Sequence, residues 1–135
     1  MPLNCLDATF RSFEGQVLPE ANKRGIAVLG MKPMGGTASA VKSGLVKAEE
    51  MLRYAVSLPV ATTIAGMDSL AVLRQNLAIA RGFKPMTAEE MEALARRCTR
   101  DAGAGHLELY KSTMKYDGDV GREQHGFPPK KELPL

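Results

Sequence analysis

Apolar and polar positions along the chain follow two rhythms. Short apolar runs stand at Ile26-Ala27-Val28-Leu29 and within VATTIAG at 60–66, each with a glycine at its end. Runs of this length are too short for a buried helix and predict internal parallel strands. Elsewhere the spacing is helical. Phe13, Val17, Leu18 and Ala21 share one face, as do Met51, Leu52, Ala55 and Val56, and then Met91, Leu94, Ala95 and Cys98.

Boundary residues sharpen these elements. Ser12 is placed to cap a helix over 12–24, which Pro19 bends or restarts and Gly25 ends. A second helix covers 47–57 and stops before Pro59. Asp68 or Ser69 caps a helix over 70–80. Thr87 with Glu90 forms a capping box for another, reaching about residue 101. Residues 39–44 are small and ambiguous. Residues 1–8 read as the end of a strand and its exit, with buried material from Met1 onward, so the chain is expected to begin inside an element. Gly103 and Gly105 close the last helix, and 106–135 is expected to be a loosely packed or disordered tail. The alternation of helix and strand over 1–105 predicts a parallel α/β arrangement, and it leaves an open sheet and a closed barrel equally allowed.

Composition narrows the classes. A chain of 135 residues suits one domain or a piece of one. The net charge of +3 raises the question of nucleic acid, but the basic residues are scattered among acidic ones and aromatics are only 5%. Neither a basic groove nor a stacking surface is legible, so nucleic acid is not expected as a partner. Cys5 and Cys98 match no zinc or iron–sulfur spacing and read as reduced core residues. His106 and His125 lack neighbours at metal-ligand spacing, and Asp117 and Asp119 read as a turn, so no metal is expected. Asp7 and Arg11 stand where a signal peptide needs its apolar stretch, and no run reaches a membrane span. A soluble cytoplasmic protein is the expectation.

Candidate chemistry gathers at GIAVLGMKPMGGT, residues 25–37. The glycines after the apolar run permit tight turns and close approach of backbone to a ligand, and Lys32 brings a positive charge to the strand end. In α/β folds ligands collect at the carboxyl ends of strands. There is no phosphate-loop signature and no GxGxxG fingerprint.

Taken together, MPLNCLD, SFEGQVLP, GIAVLGMKPMGG, LRYAVSLPVATTIAGMDS and VLRQNLAIARGFKPMTAEEM resemble consecutive pieces of the aldo/keto reductase family, in the bacterial branch with an MKP loop followed by a glycine pair. The likeness runs over about residues 1–118. It implies a fragment of a (β/α)8 TIM barrel: strands 6–8 at 1–6, 26–31 and 61–65, their helices, and a C-terminal helix over 87–101. It further implies an oxidoreductase that reduces carbonyls by hydride transfer from NADPH, with NADH as the alternative. Cofactor contacts would fall to Gly30, Met31, Lys32 and Met34, to Gly66, Met67 and Asp68 beside a ribose, and to Gln75 and Asn76 on the following helix. Val72 stands where many relatives carry an arginine for the 2′-phosphate, and Met31 where many carry a tyrosine. The family's catalytic Tyr, Lys, Asp and His belong to earlier strands. Tyr54, Tyr110 and Tyr116 lack their context, so no catalytic residue is assigned. The resemblance thus implies a truncated chain, inactive alone and at best a weak cofactor binder. The other reading is a non-catalytic nucleotide-binding or partner-binding module complementing a separate N-terminal barrel half. Exposed strand edges would favour self-association.

Overall fold

A computed structural model describes residues 1–112 and 118–132. Tyr116 and Asp117 lie outside the described residues. The N-terminal segment is extended at Pro2 and then turns through a short 3₁₀ stretch, Asp7–Thr9. Helices α1 (Phe13–Gln16) and α2 (Leu18–Lys23) follow, separated at Val17. Ser12 caps α1 by accepting from the Gly15 N–H at 2.8 Å, and Pro19 sits in the first turn of α2, where a missing N–H costs nothing. Strand β1 is Leu29–Gly30. After a turn, α3 (Ser39–Lys42) and α4 (Ala48–Ser57) lead to strand β2, Thr62–Thr63. Helices α5 (Leu70–Arg81), α6 (Ala88–Ala102), α7 (Leu109–Ser112) and α8 (Asp119–Gln124) follow, and a second 3₁₀ stretch, Lys130–Glu132, ends the described chain.

The helix starts follow from their caps. Ser69 Oγ accepts from the Val72 N–H at 3.2 Å to open α5. Thr87 and Glu90 form the reciprocal box of α6, with the Glu90 N–H donating to Thr87 Oγ1 and the Thr87 N–H to Glu90 Oε2. Along α4, Met51, Leu52, Tyr54 and Ala55 are buried and Val56 turns outward, so the inward face takes in Tyr54 in place of Val56.

The core joins Leu3, Cys5 and Leu6 of the N-terminal segment to Val28, to Ala40 and Val46, to Met51, Tyr54 and Leu58, and to Leu94, Cys98 and Ala102 of α6. Arg97 of α6 pairs with Glu50 of α4 at 2.8 Å and ties the two helices at the rim. Partial burial opposes ionisation of Glu50. The hydrogen bond from Arg97, the Lys47 N–H and the nearby charges outweigh it and hold the carboxyl below the ordinary range.

This architecture corrects the barrel expectation. Among the described residues the sheet has two strands of two residues each, Leu29 and Gly30 facing Thr62 and Thr63 in parallel, plus one parallel bridge between Pro2 and Met31. It is open and short, and helices make up most of the fold; it is not the (β/α)8 fragment with strands at 1–6, 26–31 and 61–65. The physical reason lies in what a short apolar run specifies. Such a run specifies extended backbone, whereas ladder length and closure depend on partners elsewhere in the chain. Ile26, Leu29 and Ile64 are each at least half exposed. No helix among the described residues is long and apolar enough to cross a membrane.

Candidate functional site: a cleft at the end of the parallel pair

The chain leaves β1 through Met31 and Lys32. Lys32 adopts a left-handed backbone (φ 53°), as do Gly35 (φ 67°) and Gly36 (φ 87°), and together they fold 32–38 into a tight turn. The Gly35 N–H donates to the Lys32 carbonyl at 2.9 Å, and the Ala38 N–H to that of Met34 at 3.1 Å. At Gly35 a Cβ would sit 2.9 Å from Leu6 Cδ1, so the glycine is needed for close packing as well as for its dihedral. On the other side, Ile64 to Asp68 run without regular structure from β2 to the α5 cap. Asn76, itself buried, donates from Nδ2 to the Gly66 carbonyl at 3.4 Å and ties that run to α5.

Between these two walls lies a cleft of about 720 Å³. Met31, Met34, Ile64, Met67 and Val72 supply apolar surface. Lys32 and Lys42 bring positive charge on one wall and Asp68 negative charge on the other. Of the residues singled out from sequence, Met31, Lys32, Met34, Gly66, Met67, Asp68, Gln75 and Asn76 all line this cleft. Gly30 does not. It sits in β1, buried against Leu3 and Thr63. A separate groove of about 390 Å³ opens on the outer side between α4 and α5, lined by Glu49, Arg53 and Lys84 among others.

Behind the Lys32 wall lies a buried polar cluster that sequence reading missed. Lys111 Nζ is held by Asp7 Oδ1, by Glu108 Oε2 at 2.8 Å and by the Phe10 carbonyl at 3.1 Å. Its side chain is 2% exposed, and those of Asp7 and Glu108 are no more so. Asp7 also accepts from the Ser12 hydroxyl at 2.7 Å and from the Glu14 N–H at 2.8 Å, anchoring the start of α1. Asn4 donates to Glu108 Oε1 at 3.2 Å and to the Lys32 carbonyl at 3.1 Å.

Tyr110 donates to Glu108, and its ring lies 5.2 Å beneath the Lys32 ammonium. Burial and the Glu108 carboxylate push its phenol well above the ordinary range. Tyr54 is raised likewise by burial and by Glu14, to which it donates at 3.0 Å. Both phenols stay neutral donors. The one sequence signal for the cluster is Glu108 and Lys111 at helical i,i+3 spacing, and it names no distant partner such as Asp7.

No family model, curated protein or solved structure matches the chain. The resemblance to aldo/keto reductases is corrected along with the barrel, by the predominantly helical fold and its two-stranded open sheet. The carbonyl-reducing activity, the NADPH or NADH cofactor, and a missing N-terminal barrel half for the chain to complement all rested on that resemblance and on its barrel, which this fold does not form. Self-association through barrel edges falls with it. The neutral Val72 beside the cleft likewise offers no charge to a 2′-phosphate. Among the described residues, no three His, Cys, Asp or Glu side chains converge as a metal site.

Proposed function

We propose that the cleft between 31–42 and 64–76 binds a small amphipathic organic anion. Its apolar body would lie against Met31, Met34, Ile64, Met67 and Val72, and its acidic group toward Lys42 and Lys32. One observation carries this reading: eight residues from three separate stretches of sequence, bearing both apolar and charged side chains, converge on a single concave surface. Ligand sites are typically concave, mostly apolar and set with a few polar groups. Gly66, Gln75 and Asn76 supply the hydrogen-bonding edge, and Asp68 would select against a second negative charge at that end.

Anilinonaphthalene sulfonate, an aromatic body with one anionic group, is a suitable probe. Titration of the folded chain is expected to show saturable fluorescence and a raised melting temperature. Lys42→Glu should weaken binding by about tenfold, as expected for reversing one partly exposed charge near the ligand. Lys84→Glu, in the outer groove, should leave it unchanged. Equal affinity in wild type, Lys42→Glu and Met34→Glu would overturn the assignment.

A further inference from the structure

We propose that Cys5 and Cys98 form a peroxide-sensitive dithiol that closes to an intramolecular disulfide, stapling the N-terminal segment to α6. The two Sγ atoms share a hydrogen-bonding contact at 3.8 Å although 93 residues separate them in sequence, and each residue is 1% exposed. Bonded sulfurs sit about 2.05 Å apart, so closure needs an approach of under about 2 Å. Rotation of the two side chains with a small shift of α6 can supply it.

The partner segment is firmly placed. The Leu6 N–H donates to Asn4 Oδ1 at 2.9 Å, and Asp7 is fixed by Lys111, so Cys5 presents its sulfur from a rigid turn. Cys5 and Cys98 face one another within an apolar core that includes Leu3, Leu94 and Ala102.

The two thiols are not equivalent. The Sγ–Sγ contact with Cys5, aided by the charge of Arg97, outweighs burial and holds the Cys98 thiol below its ordinary range, while the same contact and burial push Cys5 up. We assign the attack to Cys98, the sulfur next to Arg97 on α6. Its thiolate bonds to one oxygen of hydrogen peroxide as the O–O bond breaks, and the departing hydroxide takes a proton to become water. Cys5 sulfur then attacks the Cys98 sulfenic sulfur. The S–S bond forms, the S–O bond breaks, and the second water leaves with the Cys5 proton. Two thiols are oxidised by two electrons in all, and one peroxide is reduced to two waters. Burial makes access of peroxide the slow step, so closure should be gradual in the folded chain.

The experiment exposes the full folded chain to hydrogen peroxide, then unfolds it, alkylates free thiols and reads its mass. Expected is the joint loss of both thiols, a mass fall of about 2 Da and a single cross-linked peptide pair containing Cys5 and Cys98. Dithiothreitol should reverse it. The oxidised chain should melt about 10 °C higher, because the bond closes a long loop. Cys5→Ser should abolish the cross-link and leave Cys98 to gain oxygen instead. Should that variant fail to fold, the thiol oxidant diamide applied to the wild-type chain gives the same readout. Two alkylatable thiols after exposure, a cross-link between chains, or one that forms only in denaturant would each overturn the proposal.

Discussion

Replacing Lys111 by methionine is expected to lower the free energy of unfolding by about 3–5 kcal/mol, the range for removing one partner of a buried ion cluster. The side chain is 2% exposed and is the only cation within bonding distance of Asp7 and Glu108 among the described residues. Without it two carboxylates stand buried against each other with no counter-charge. Total stabilities of small domains are about 5–15 kcal/mol, so a loss of this size would leave a fraction of the chain unfolded at ambient temperature. The triple variant that also carries Asp7→Asn and Glu108→Gln should regain part of the loss, since neutral amides tolerate burial better than unpaired charges. Urea unfolding of both variants checks the prediction. A single variant as stable as the wild type would show that 107–112 does not dock against the N-terminal segment.

Met51→Ala should cost about 2–5 kcal/mol, the range for truncating a buried aliphatic side chain when its surroundings relax only partly. Met51 is fully buried at the centre of the inward face of α4, in one apolar cluster with Leu3, Leu6, Tyr54 and Leu94. Val56→Ala on the same helix, at a position 37% exposed, should change stability far less. Thermal unfolding of the pair separates core packing from helix propensity, which favours alanine at both positions.

The contrast between these two predictions marks what the sequence could convey. Helices α4, α5 and α6 were legible because both of their determinants are local: caps at Ser69 and Thr87, and apolar side chains repeating every three or four residues. The split of the first helix at Val17 was foreshadowed by Pro19. Sheet extent was not legible. VATTIAG has the composition of a strand, yet pairing at Thr62 and Thr63 depends on where 29–30 lies, and that is a matter of tertiary placement. The motifs MKPMGG and RQNL describe a tight turn and a helix segment. Neither determines how many strands surround them, which is why a likeness of short segments gave the wrong architecture.

The candidate site was legible in a different sense. Met31 to Met34 follow β1 and Gly66 to Asp68 follow β2, and parallel pairing brings the two exits to the same end. Gln75 and Asn76 join them because α5 starts at that end. The cluster around Lys111 gave no comparable signal. Its members come from residues 4–7 and 108–111, and a tail rich in glycine and charge looks alike in sequence whether it packs or not.

The claim that matters most is the location of binding, and amide chemical-shift mapping tests it directly. Anilinonaphthalene sulfonate titrated into isotopically labelled chain should shift amides within 31–42 and 64–76 together, with one common saturation curve. Shifts confined to the outer groove at Glu49, Arg53 and Lys84, or scattered without saturation, would contradict it.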